Sequence, residues 1–122
     1  MSEFNKPKFK FFKNWGYAVD GLVDLIKNET SFKLQVVAFI LFSIIIVFLP
    51  VSLVAKSILF LSLLFPILAE IVNSAIERVV DLVTTDYHIM AKRAKDVGAT
   101  LVFISILFTV IVWSLTLYIS LT

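Results

Sequence analysis

The sequence predicts an all-α integral membrane protein, with three transmembrane helices preceded by an amphipathic helix at the membrane interface. Three observations lead there. Sixty per cent of the 122 residues are apolar, and twelve of them are phenylalanine. The mean hydropathy of +1.00 lies outside the soluble range, and a soluble domain this short has too little interior to bury so much apolar surface. Three segments are each long and apolar enough to cross a hydrocarbon core about 30 Å thick.

Residues 1–122 read as a single membrane domain. Its first element is a helix expected over residues 5–29, where Phe12, Trp15, Val19, Leu22 and Ile26 recur at spacings of three and four. Lys10, Lys13, Asp20, Asp24 and Lys27 lie largely off that face. Such a stripe either lies in the interface plane or packs on the spans, and both readings stand at this point. The stretch does not read as a signal peptide, because the long apolar run starts only at Val36 and no small-residue cleavage site follows. The first span is expected over 32–55; it carries no charge from Val36 to Ala55, and Pro50 interrupts it near its far end. The second is expected over 57–83. The third, over 97–121, carries no charge at all. The Leu49-Pro50-Val51-Ser52 region and Lys56 leave only a short turn between the first two spans, so they form an antiparallel hairpin, and 84–96 is the one sizeable polar loop.

Basic residues set the orientation. Six lysines precede Val36, Lys56 stands alone in the first turn, and Arg78, Lys92, Arg93 and Lys95 gather around the second loop. The positive-inside rule places the N-terminus and the second loop of this multi-pass protein in the cytoplasm. A pI near 9 that comes from lysines at the ends of apolar segments suits an anionic lipid surface and not nucleic acid. The absence of cysteine excludes disulfides, thiolate zinc and thiol catalysis.

The chemistry lies on the second span. Glu70, Asn73, Ser74, Glu77 and Asp81 fall within roughly 100° of arc on a helix. Each charge placed in hydrocarbon costs a few kcal/mol (about 2.5–3.5 on insertion scales), which makes intramembrane carboxylates functional candidates. Counted from Ser57 at 1.5 Å per residue, Glu70 lies roughly 20 Å in and Glu77 roughly 30 Å in. Glu77 then sits at cytoplasmic headgroup level and Glu70 about 10 Å deeper. A cytosolic reactant reaches the first and a lipid headgroup the second. Glu29, just before the first span, returns to the level of Glu77; two such carboxylates with substrate phosphates are a Mg²⁺ donor set. Lys95 and Asp96 come back to the same level.

Taken singly, Asn73 reads as interhelical glue, Lys92, Arg93 and Lys95 as topology signals, and His88 as a solvated loop residue. Together, Glu70, Asn73 and Glu77 point to a site. With only Gly16, Gly21 and Gly98, neither a Walker loop nor a glycine-rich kinase loop can be built. Phosphoryl transfer would rest on side chains and metal, which suffices for a reaction that mostly needs positioning and charge neutralisation.

The segment Glu70-Ile71-Val72-Asn73-Ser74-Ala75-Ile76-Glu77-Arg78-Val79-Val80-Asp81, continued by Asp86-Tyr87-His88 and Lys92-Arg93-Ala94-Lys95-Asp96, resembles the bacterial integral-membrane diacylglycerol kinases. Gly16-Tyr17, Gly21-Leu22 and Asn28-Glu29 with Phe32 fall at the expected places, so the resemblance covers roughly residues 9–118. It implies ATP-dependent phosphorylation of 1,2-diacylglycerol to phosphatidic acid by a homotrimer. Glu70 matches the catalytic base, and Glu29 and Glu77 match the carboxylates that hold the nucleotide-bound Mg²⁺. Tyr17, Asn73, Asp86, Tyr87, His88, Lys95 and Asp96 match positions around the nucleotide. Lys10 stands where the family usually has an arginine on the phosphates, Gln35 where glutamate is common, and Ala99 where a serine near the lipid is frequent. Trp113 matches a tryptophan near the lipid substrate. Undecaprenol kinase, of the same superfamily, is the nearest alternative, but Tyr87-His88-Ile89, Arg93 and Val97-Gly98-Ala99 look more like the diacylglycerol branch. A transport subunit would continue the polar stripe to the far side, yet the third span is uncharged and the first offers only Ser43.

Overall fold

The computed structural model describes residues 10–122. Five helices follow one another: α1 (Phe11–Asn28), α2 (Thr30–Phe48), α3 (Leu53–Ser62), α4 (Leu64–Val83) and α5 (Ile89–Leu121), and among the described residues there is no strand. Three rods are long and apolar enough to span a membrane: α2, the composite Leu53–Val83, and α5. The protein is an all-α integral membrane protein, as its composition predicts.

α1 leaves Phe12, Trp15, Val19, Leu22 and Ile26 exposed and buries only Leu25. Of the two readings of its apolar stripe, burial against the chain's own spans is the one the structure does not adopt. Residues 5–9 of the expected helix lie outside the described residues. A single extended residue, Glu29 (φ −111°, ψ 107°), makes the elbow into α2. Its N–H still donates to Leu25 O at 2.9 Å and its carbonyl accepts from Lys33 N at 3.1 Å, so the chain turns without orphaning either backbone group.

The first span is shorter than its hydropathy suggests. Helix α2 ends at Phe48, because Pro50 drives the preceding Leu49 into extended backbone (φ −69°, ψ 138°). Leu53–Ala55, expected to close the first span, instead open the second. Ser52 Oγ caps α3 by accepting from Ala55 N at 3.1 Å, and Lys56 Nζ donates to Val47 O at 2.9 Å, satisfying a carbonyl at the end of α2.

The second span carries one irregular residue, Leu63 (φ −68°, ψ −19°), between α3 and α4. The cause is Pro66. It has no N–H to offer Ser62, four residues back, and that carbonyl would be orphaned in hydrocarbon. Thr109 of α5 repairs the gap, its Oγ1 donating to Ser62 O at 2.9 Å. Trp113 Nε1 donates to Ser62 Oγ at 3.1 Å. Thr109→Val should therefore destabilise the protein by about 0.6 kcal/mol, the average for interhelical hydrogen bonds in membranes, and by no more than about 1.7 kcal/mol. Denaturant unfolding in micelles would read this directly, and an unchanged midpoint would remove Thr109 from that role.

The polar loop is shorter than 84–96, and the third helix correspondingly longer. Helix α5 starts at Ile89 and runs 33 residues, about 50 Å. Charge ends contact with hydrocarbon but does not end a helix. His88 Nδ1 accepts from Met90 N at 3.1 Å, and Lys92 pairs with Asp96 one turn on at 2.6 Å. Helices α4 and α5 pack along most of their length, with α2 against α4 and α3 against α5. Ile46, Leu59 and Leu63 form an apolar core near the Pro50 end. At the other end of the central rod the buried groups are polar.

Candidate active site

The polar stripe of α4 is sequestered by the rest of the chain. Glu70 is 5% exposed, Asn73 7% and Ser74 1%, while Glu77 one turn further on is half-buried. Gly98 of α5 makes this possible. A Cβ on Gly98 would run into Asn73 Oδ1 and stand 3.4 Å from its Cγ, so only glycine lets α5 approach α4 at this level. Asn73 Nδ2 donates to Glu77 Oε1 at 3.2 Å, one turn along the stripe. Asn73 Oδ1 and Ser74 Oγ are buried without a hydrogen-bond partner among the described residues. Buried polar groups are ordinarily paired, so each marks a position suited to a donor from outside.

Arg78, directly after Glu77 on α4, takes Glu29 as an ion-pair partner at 3.0 Å. The elbow between α1 and α2 thus brings Glu29 to α4, as its level in the sequence predicts. Glu29 is not free: Arg78 Nε and Nη2 both donate to its Oε1, at 3.1 and 3.0 Å. The remaining guanidinium nitrogen, Nη1, donates to Asp24 Oδ2. Asp24 also accepts from Asn28 Nδ2 at 2.6 Å. Arg78 first, and Asn28 second, hold the Asp24 carboxyl below its ordinary range. A lowered value means that this contact stabilises fully above the usual carboxylate pKa and fades as pH falls through the lowered one.

The nucleotide candidates divide into groups. Asp86, Tyr87, His88, Lys92, Lys95 and Asp96 line one surface depression of about 370 Å³ where α4 gives way to α5. Lys95 Nζ pairs with Asp81 Oδ1 at 2.7 Å, joining the two helices across this turn. Asp96 is held by Lys92. Lys10 and Tyr17 sit exposed at α1, and among the described residues no side-chain hydrogen bond or ion pair joins them to the depression. Ala99 is exposed, next to Gly98 and hence at the level of Asn73. Trp113 lies about 21 Å further along α5. It contacts Ser62, eight residues before Glu70, which puts it about 12 Å along the rod from that carboxylate. There it lines an apolar groove of about 460 Å³ with Phe39, Phe42, Pro66, Thr109 and Leu117.

Among the described residues no three histidine or carboxylate side chains converge as a metal cage. The donor set fits a different mode. Glu29 and Glu77 each have Oε1 engaged by the protein, by Arg78 and by Asn73, which leaves Oε2 of each for a ligand. One or two carboxylates completed by phosphate oxygens and water is the habit of Mg²⁺. Sequence reasoning missed Arg78 and Asp24, reading the first only as a topology signal. Their pairing spans 54 residues of sequence and has no local pattern.

A model of the prokaryotic diacylglycerol kinase family matches residues 16–117. The chain is 37% identical over 109 residues to a diacylglycerol kinase of Escherichia coli K12, covering 89% of each chain. It is 34% identical over 127 residues to a diacylglycerol kinase of Helicobacter pylori J99, covering 97% of this chain and 98% of that one. A diacylglycerol kinase of Haemophilus influenzae is 34% identical over 97 residues, covering 80% and 82%.

Proposed function

Because the chain belongs to the prokaryotic diacylglycerol kinase family and is thereby a phosphotransferase acting on an alcohol group, we propose that it transfers the γ-phosphate of ATP to 1,2-diacylglycerol, giving phosphatidic acid at the cytoplasmic face of the bacterial inner membrane. The observation that carries this reading is the two-level arrangement on α4: a buried Glu70 below a half-buried Glu77, with Glu29 tied to the same helix by Arg78.

Glu70 is the general base. It accepts the proton of the lipid hydroxyl as that oxygen bonds to the γ-phosphorus, and the bond from phosphorus to the β,γ-bridging oxygen breaks to release ADP. Glu29 and Glu77 would hold the nucleotide-bound Mg²⁺. Bound there, the ion supplies neutralisation of phosphate charge. Asn73 keeps Glu77 oriented beside the nucleotide. Asp86, Tyr87, His88, Lys95 and Asp96 border the nucleotide; Lys10 and Tyr17 close over it from α1. Ala99 flanks the lipid headgroup. Trp113, at the level of Ser62, lies along the acyl chains in the apolar groove, deeper than the headgroup.

The active form is a homotrimer. One subunit leaves Arg78 and Asp96 exposed and Glu77 half-exposed, and a neighbouring subunit supplies the remaining wall. The lysines of α1 and the loop after α4 face the cytoplasm.

Glu77→Gln tests the site. It removes one hard ligand, so half-saturation with Mg²⁺ should rise about tenfold or more while the lipid KM stays unchanged. An unaltered metal requirement would remove Glu77 from the site.

A further inference from the structure

Of the carboxylates assigned to the metal nucleotide, Glu77 stands on a continuous helix, but Glu29 stands on an elbow. Its backbone is extended, it is the shared cap of α1 and α2, and its side chain makes no capping hydrogen bond to either helix. A glutamate in that setting has several rotamers, and fixing one costs side-chain entropy. Something must fix it if it is to act as a ligand.

We infer that Arg78 is the positioning residue that presents Glu29 to the metal nucleotide. The inference rests on the proposed ligand role of Glu29. Arg78 directly follows Glu77 on α4, so the group that grips Glu29 stems from the same helical turn as the other carboxylate. Two of its donors, Nε and Nη2, converge on a single oxygen, Oε1. Gripping both oxygens would have closed the carboxylate to a cation; gripping one orients it and leaves Oε2 open. The guanidinium is itself held on its third nitrogen by Asp24, which Asn28 steadies in turn. The chain Asn28–Asp24–Arg78–Glu29 therefore joins the last turn of α1, the elbow and α4. Such a fork is specific to arginine. Lysine supplies the charge at a point and cannot bond Asp24 and two edges of the Glu29 oxygen together. Hydrogen-bond partners behind metal ligands commonly set affinity by 10–100-fold.

The test measures cation binding and not turnover. Free Mn²⁺ is followed by electron paramagnetic resonance in micelles, with saturating non-hydrolysable ATP analogue, for wild type, Glu29→Gln, Arg78→Gln, Arg78→Lys and the double variant Glu29→Gln/Arg78→Gln. Glu29→Gln should weaken Mn²⁺ binding, Arg78→Gln should weaken it about tenfold, and Arg78→Lys should restore part of the loss. The double variant should bind no worse than Glu29→Gln alone, because Arg78 acts only through Glu29. Unchanged or tighter binding in Arg78→Gln beside a weakened Glu29→Gln would overturn the inference and leave the ligand role of Glu29 standing. Additive losses in the double variant would assign Arg78 a general structural role and overturn it too. No effect of Glu29→Gln would overturn the ligand role and the inference together. Should Arg78→Gln fail to fold, Arg78→Lys carries the same comparison.

Discussion

Glu70→Gln loses turnover by at least about a hundredfold, the lower end of what a positioned general base contributes, while the affinity for Mg-ATP stays close to that of wild type. The amide has nearly the shape of the carboxylate but cannot take a proton from the lipid hydroxyl. Nucleotide binding is spared because the groups assigned to it, Glu29, Glu77 and the depression at Asp86–Asp96, lie from Glu70 towards the turn between α4 and α5. Fold is spared for a separate reason. Glu70 is buried, and a neutral amide of the same shape is less costly to bury than a charge. Unfolding in micelles should therefore show a variant at least as stable as wild type, so that the lost turnover cannot be blamed on a damaged structure. Retained turnover with weakened nucleotide binding would move Glu70 from the lipid to the nucleotide.

Gly98→Ala has the second-largest expected effect, and on two quantities at once. The added methyl meets Asn73 Oδ1, and the two helices cannot simply part, since α4 and α5 pack along most of their length. Overpacking of this kind costs about 1–3 kcal/mol. To yield, Asn73 must rotate and give up its bond to Glu77 Oε1, which loosens a proposed metal ligand and lowers activity. The two effects separate in a double variant. Asn73→Ala in the Gly98→Ala background removes the collision, so stability should recover, but Glu77 stays unsupported and activity should not. Additive destabilisation of the two substitutions would show that they do not meet as described.

How much of this was legible in the sequence depends on which force decides each feature. Spans declare themselves because hydrocarbon tolerates no unpaired backbone and few charges over twenty residues, and the stripe of Glu70, Asn73 and Glu77 declares itself because charge there is costly. The start of α5 does not follow from that logic. Lys92, Arg93 and Lys95 mark where lipid ends, but the helix continues into water, capped by His88, for local reasons that hydropathy does not register. Pro50 ends α2 through a backbone clash confined to one residue, invisible in a window average. Arg78 illustrates a third case. Its charge was plain, but its partners lie 49 and 54 residues away, and only the elbow at Glu29 brings them within reach. Gly98 was noticed as part of a motif, although its work is steric and needs Asn73 on the facing helix to be understood.

The assignment stands or falls with phosphoryl transfer from ATP to the hydroxyl of diacylglycerol. It is tested most directly with purified protein in mixed micelles, Mg-ATP labelled at the γ-phosphate, and 1,2-diacylglycerol or undecaprenol supplied side by side. The account predicts label in phosphatidic acid, with undecaprenol a poor acceptor. Preferential labelling of undecaprenol, or no label in either lipid, would contradict it.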